Sequence, residues 1–317
     1  MKYLLVPALL VLLLILTLVL LPCWGQTIHL PGSEIYDLRF QRMLLALLSG
    51  SGLALCGLVF QAMFRNPLAT PYTLGVASGA AFGATLCLQS AIRLGLPAVI
   101  LFVPTVSFGA FGGAILAVSI VFALARNTDT SSEQMLLAGV AVNFFFSSII
   151  VLLLYLSAPH DAFQILRWTM MGGVQNACWG DNVRLSLVIF ALFIFLLFQS
   201  RTLNVFVTGQ NRALSLGVNT VRFRTILFVV TSLSVGAIVS ITGPIGFVGL
   251  MVPHISRMLI GPDHRHLIPA TAIFGALFLM LCDTAGRWAC YPAELPVGII
   301  TSLLGGPFFL WLLLRRK

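Results

Sequence analysis

Ten predominantly apolar stretches, each of roughly twenty residues, run through almost the whole chain, at 3–21, 43–63, 72–90, 105–125, 135–157, 183–200, 225–241, 245–260, 267–285 and 295–314. An α-helix rising 1.5 Å per residue needs about 20 apolar residues to cross a hydrocarbon layer of about 30 Å. Each stretch therefore reads as a membrane span. The expected fold is an all-α polytopic membrane protein with about ten transmembrane helices, a single membrane domain over residues 1–317. The runs are too rich in Gly and Leu for a transmembrane β-barrel, whose strands alternate every second residue. The seventh and eighth spans are the hardest to separate. Ser240-Ile241-Thr242-Gly243-Pro244 interrupts one long apolar stretch, and a Gly-Pro pair can either kink a helix or end it.

Composition excludes the common soluble classes. Hydrophobic residues make up 59% of the chain and charged residues only 9%, with a mean hydropathy of +1.04. A soluble domain carries about 25% charged residues. Too few polar groups exist to cover a water-facing globule, which rules out a soluble enzyme or a disordered tail. The 18 Lys and Arg against 9 Asp and Glu point to orientation in a membrane rather than to nucleic acid. With ten spans and both termini cytoplasmic, twelve basic residues fall inside (Lys2, Arg65, Arg126, Arg201, Arg212, Arg222, Arg224, Arg257, Arg265, Arg315, Arg316, Lys317). Six fall outside (Arg39, Arg42, Arg93, Arg167, Arg184, Arg287). This two-to-one bias supports cytoplasmic termini. The first run is longer than the ~7–15 residues of a secretory signal core, so it is expected to stay as a span although Leu21-Pro22-Cys23 faintly resembles a lipoprotein cleavage site.

The six cysteines do not form a disulfide framework. Cys56, Cys87 and Cys282 lie in spans, where cysteine behaves as a small hydrophobe, while Cys23, Cys178 and Cys290 lie near the outer face and leave room for one bridge.

Chemistry-bearing residues are sparse. Asp283 and Arg287, near the outer end of the ninth span, are the nearest thing to intramembrane charges, and the mid-membrane Asp, Glu or His common in ion-coupled transporters is missing. No GxxxxGK[ST] loop is present to cradle ATP phosphates, so energy is expected to enter from another subunit. His254, Asp263, His264 and His266 fall within thirteen residues and could ligate zinc, but Pro262 and the neighbouring arginines suit a solvated turn better. No metal or cofactor is expected. Gly75, Gly79 and Gly83 repeat every fourth residue, which permits close helix packing and is also compatible with a smooth-walled path.

Two inner turns are more specific. Phe64-Arg65-Asn66-Pro67-Leu68-Ala69-Thr70-Pro71 carries two prolines within five residues and predicts a rigid bend. Residues 201–224 contain Asn211-Arg212-Ala213-Leu214-Ser215-Leu216-Gly217-Val218, a short amphipathic helix for which Gly217 supplies a left-handed C-cap. Such a helix can fill the lipid surface or serve as a knob for a soluble partner.

Several ordered motifs together resemble a known family. They are Asn66-Pro67-Leu68-Ala69, Leu74-Gly75-Val76-Ala77-Ser78-Gly79-Ala80, Leu136-Leu137-Ala138-Gly139-Val140, the segment 168–173 and Gly243-Pro244-Ile245-Gly246-Phe247-Val248-Gly249 onward to His254. Asp283-Thr284-Ala285-Gly286-Arg287, Glu294-Leu295-Pro296-Val297-Gly298 and Gly305-Gly306-Pro307-Phe308-Phe309 complete the set. Over nearly its whole length the chain is similar to the FecCD/BtuC-like permease subunits of binding-protein-dependent ABC importers for iron–siderophores, haem and vitamin B12.

The resemblance implies a permease dimer in a bacterial inner membrane, with two cytosolic ATPases below and a periplasmic binding protein above. It also implies an ATPase-coupling loop at Arg212, Ala213, Leu214, Ser215, Leu216 and Gly217. The acidic residue usual just before it is replaced here by Gly209-Gln210-Asn211-Arg212. A cytoplasmic gate falls on Asn66, Leu68, Ser132 and Glu133. Binding-protein docking falls on Arg39, Arg42 and Arg287, whose guanidinium forks can grip carboxylates; plain topology or contact with lipid headgroups is the alternative for these arginines. Family members carry Arg-Leu-Pro-Arg where this chain has Arg39-Phe40-Gln41-Arg42. The expected cargo is a ferric siderophore or haem, moved from periplasm to cytosol. Vitamin B12 or free zinc or manganese are the alternatives within ABC transport, and an ion-gradient-driven transporter or a non-transporting scaffold are the alternatives outside it. No nucleic acid is expected as a partner.

Overall fold

A computed structural model describes residues 2–23, 33–94, 99–100, 103–126, 132–157, 172–289 and 294–314. The helices in chain order are α1 (Lys2–Cys23), α2 (Glu34–Phe64), α3 (Val76–Leu94), α4 (Thr105–Arg126), α5 (Ser132–Tyr155), α6 (Trp179–Val207), α7 (Gln210–Ser215), α8 (Thr220–Thr242), α9 (Val248–Ile260), α10 (His264–Ala289) and α11 (Val297–Leu314). The only strands among the described residues are β1 (Val99–Ile100) and β2 (Val103–Pro104), a two-residue antiparallel pair ahead of α4.

Among the described residues, six helices are long and apolar enough to cross a membrane, namely α2, α4, α5, α6, α8 and α10. Four shorter apolar ones lie in α1, α3, α9 and α11. Ten apolar helices thus stand where ten apolar stretches stand in the sequence, and α7 is the extra, surface element. Inside lipid a helix satisfies its own backbone groups, which is why these runs adopt it. The break between the seventh and eighth spans is real. Gly243 and Phe247 both take positive φ (66° each), and α9 begins only at Val248. With 13 residues, α9 is about 20 Å long and too short to cross unaided.

Burial sorts the helices. The most apolar window of α2 is 89% buried, against 22% in α5 and 28% in α6. A helix apolar all round yet little buried by its own chain presents that surface to lipid or to another subunit, as Phe144, Phe190 and Phe198 do.

The residues group into two compact units. One comprises residues 1–58, 173–220 and 246–317. In it α2 runs against α9 and α10 with no side chain between backbones: a Cβ on Gly50 would strike the carbonyl of Gly275, and one on Gly57 the carbonyl of Gly249. Gly50 and Gly57 are two turns apart on one face, so this stripe lets three helices approach closely.

The other unit comprises residues 59–172 and 221–245. Here α3 and α4 pack antiparallel through the pairs Gly79/Gly113 and Gly83/Gly109. Gly79 and Gly83 are therefore filled against a neighbour and do not line open space. Phe82 stacks on Phe146 at 5.0 Å, Phe60 meets Phe228 edge-on at 6.2 Å, and Ser107 Oγ donates to the Ser240 carbonyl at 2.9 Å.

Candidate functional site

Three places hold the residues singled out from the sequence, and two of them are at opposite ends of the α2/α10 unit. At the first, the start of α2 meets the end of α10. The Arg42 guanidinium grips Asp283 as a fork, with Nε 3.0 and 2.9 Å from the two carboxylate oxygens and Nη2 2.8 Å from Oδ1. Its remaining edge, Nη1, reaches Glu294 Oε2 at 2.5 Å. Arg287, one turn beyond Asp283 on α10, lies 3.5 Å from the same carboxylate and donates to Thr284 Oγ1 at 3.1 Å. Two guanidinium groups thus face two carboxylates, and the group is neutral as a whole. The side chains of Arg42, Asp283 and Arg287 are 9%, 2% and 9% exposed, whereas that of Glu294 is 46% exposed. Overall neutrality makes so buried a charge set tolerable, although Arg287 Nε, 3.5 Å from Asp283, makes no hydrogen bond.

Neighbouring bonds brace this end. Asn182 Nδ2 donates to the Gln41 carbonyl at 3.0 Å, Gln41 Nε2 donates to Asp37 at 3.0 Å, and Phe40 packs on Trp179 at 6.1 Å. Arg39 sits three residues before Arg42 on α2 and bonds the Pro22 carbonyl at 3.5 Å. Of the three arginines expected to dock a partner, the structure gathers Arg42 and Arg287 around one buried aspartate and leaves Arg39 half-buried alongside. The partners that sequence reasoning missed are Asp283 and Glu294, which are 241 and 252 residues from Arg42. Both were visible as rare acids near the outer face; nothing local indicated that one arginine takes them both.

At the other end of α10 lie α7 and a capped turn. α7 holds Arg212, Ala213, Leu214 and Ser215 and is closed by a Schellman motif. Val218 N donates to the Ala213 carbonyl at 2.9 Å and Gly217 N to the Leu214 carbonyl at 3.0 Å, with Gly217 at φ +81°. The glycine C-cap expected from sequence is present. A Cβ on Gly217 would meet nothing within 4 Å, so the backbone angle and not space selects glycine there. Ala213 is fully buried and anchors the knob, while Leu214 and Leu216 are 52% and 67% exposed.

Close in sequence to this knob on α6, Asn204 ties α6 to the start of α10. Its amide donates to Asp263 Oδ1 at 2.6 Å, and its oxygen accepts from the His264 backbone N–H at 2.9 Å. That oxygen lies 2.7 Å from His264 Nδ1 and can only accept, so Nδ1 carries the proton. Asp263 caps α10, with Oδ1 accepting from Arg265 N at 3.0 Å. The Arg265 N–H and the Asn204 amide hold its carboxyl below the usual carboxylate range. The histidines do not converge. His254 packs edge-on to Phe308 at 6.0 Å, and no group of three or more His, Cys, Asp or Glu suited to a metal exists among the described residues. Cys23, Cys56, Cys87, Cys178 and Cys282 are free thiols; Cys290 lies outside the described residues.

The third place is the bend after α2, in the other unit. Asn66 Oδ1 accepts from Leu68 N at 2.9 Å and the Asn66 carbonyl accepts from Ala69 N at 3.1 Å, closing an Asx turn behind Arg65 at φ 50°. Asn66 and Leu68 are both half-buried there. Ser132 and Glu133 form the first turn of α5, and their side chains lie outside the described residues, as does 168–171 of the segment 168–173.

Known proteins share this chain's sequence pattern and fold. The profile of the FecCD transport family matches residues 4–315. The hemin transport system permease protein HmuU of Yersinia pestis is 40% identical over 281 residues, covering 89% of this chain and 83% of that protein. The vitamin B12 import system permease protein BtuC of Escherichia coli is 37% identical over 313 residues, 96% of this chain and 93% of that protein. A solved structure described as an inward-facing metal-chelate type ABC transporter superposes with a TM-score of 0.87 at 32% identity, covering 99% of this chain and all of that one. PsaBC from Streptococcus pneumoniae, at 14% identity and a TM-score of 0.58, shares the fold alone. With a family match along almost its entire length and such relatives on either side, this multi-pass membrane chain belongs to the FecCD transport family of ABC importer permeases.

Proposed function

We propose that the chain carries a metal chelate, a ferric siderophore or haem, from periplasm to cytosol, with both its termini in the cytosol. ATP is hydrolysed by a separate cytosolic ATPase dimer, and a second permease subunit completes the path. The observation that carries this reading is the α7 knob. An exposed Leu214 and Leu216 stand on a turn locked by Gly217 and anchored by Ala213, a rigid apolar protrusion of the kind that fits a cleft in a soluble motor. Arg212 to Gly217 are the ATPase-coupling residues in this reading. Asn66 and Leu68, with Ser132 and Glu133, form the cytoplasmic gate. Arg39, Arg42 and Arg287 meet carboxylates of the periplasmic binding protein at the opposite end.

The cargo assignment is supported by the 40% identity to a hemin permease and by the likeness to a metal-chelate type transporter. The longer alignment with vitamin B12 permeases favours a second reading, in which the cargo is a cobalamin. Uptake by proteoliposomes holding the permease with its ATPase, fed by its binding protein loaded with haem, ferric siderophore or cobalamin, separates the two readings. Haem or siderophore accumulation is expected; cobalamin alone would replace the first reading with the second.

A further inference from the structure

Arg42 does not use its carboxylate partners equally. Asp283 holds Nε and Nη2 as a fork inside the chain, both side chains almost wholly buried. Glu294 touches only Nη1 and is about half exposed. It stands three residues before the start of α11, on a segment tied to α10 where Leu295 N donates to the Gly286 carbonyl at 3.1 Å. One carboxylate is thus a permanent clasp, and the other occupies the single outward edge that an incoming carboxylate could take.

We propose that Glu294 is a placeholder: it fills the outer edge of Arg42 until a carboxylate of the docking protein displaces it. The inference rests on the docking reading of Arg39, Arg42 and Arg287 given above. The exchange keeps Arg42 compensated at every stage, because Asp283 never leaves it and Nη1 trades one carboxylate for another. Without Glu294, Nη1 would stand without a carboxylate until docking. Displaced, Glu294 releases the entry to α11, so that docking is felt by a helix the partner need not touch. It also sets a threshold: a partner must outbid an intramolecular carboxylate, which discriminates against weakly acidic surfaces.

The test measures binding of the cognate periplasmic binding protein to the permease–ATPase complex in lipid nanodiscs, over a range of salt. Glu294→Gln removes the competitor and should tighten docking by about threefold to tenfold at low salt, the gain shrinking as salt rises. Glu294→Asp keeps the charge but is one methylene too short to reach Nη1, and it should tighten docking as well. A general repulsion between Glu294 and the partner predicts that Glu294→Asp binds like the unaltered protein, and that result would overturn the proposal. So would unchanged or weaker docking by Glu294→Gln while Arg39→Gln still weakens it. If Arg39→Gln and Arg287→Gln both leave docking unchanged, the docking reading itself fails and takes the placeholder with it. Neither Glu294 variant disturbs the Asp283 clasp, so both should assemble with the ATPase as the unaltered chain does.

Discussion

Arg42 shows how one residue can be both structure and site. Burying a guanidinium costs several kcal/mol, recovered only with well-placed carboxylates, and removing one partner of a buried pair costs about 3–5 kcal/mol. Asp283→Ala should therefore destabilise the protein by about that amount, read as a large drop in thermal midpoint in detergent or as loss of folded yield. Glu294→Gln removes a half-exposed partner and should cost no more than about 1 kcal/mol. Equal costs for the two would mean that the clasp is not centred on Asp283. Arg42 and Arg287 were legible as basic residues near the outer face, but their burial was not. Hydropathy and charge position a residue along the membrane normal and say nothing of which neighbouring helix turns its acid toward it.

At the scale of elements, α7 and the start of α10 are the parts where local rules suffice. Gly217 at φ +81° would cost an L-residue roughly 1–2 kcal/mol, less for Asn. Gly217→Val should leave insertion intact and uncouple ATP hydrolysis from uptake, since the knob loses its shape and not its room. Normal coupled transport in that variant would remove α7 from the coupling role. Asp263 makes an independent prediction. Its carboxyl is held below the usual range by the Arg265 N–H and Asn204, so its contribution is present above the unfolded value near about 3.9 and is lost as pH falls through the lower folded value. Asp263→Ala should cost about 0.5–2 kcal/mol at neutral pH, and the gap in thermal midpoint from the unaltered chain should narrow as the pH is taken below about 4. The Gly217 cap was readable because capping acts over four or five consecutive residues. The C-cap could be assigned to Gly217 from the sequence, whereas the bond from Asn204 to Asp263 crosses 59 residues and could not.

For the whole molecule, the proposed reading assigns the energy source to a separate ATPase subunit. Purified alone into vesicles, it is expected to accumulate no cargo whether or not a proton gradient is imposed, and to do so only when an ATPase is added with ATP. Gradient-driven uptake by the lone chain would place it among secondary transporters in mechanism whatever its ancestry.

What the amino-acid order settled unaided was the class of fold, the number of apolar stretches and the capped knob at Gly217. Each of these depends on hydrophobic length or on dihedral preference, quantities carried by neighbours in the chain. What only the tertiary structure decided was which faces met: that Gly50 and Gly57 would be consumed by α10 and α9, that Gly79 and Gly83 would be filled by α4, and that Arg42 would close on Asp283 and Glu294. In lipid every helix face is apolar enough to be exposed, so the pattern of hydrophobicity no longer says which face is inside; the choice falls to close packing and to the pairing of a few charges, and those are made between residues far apart in the chain.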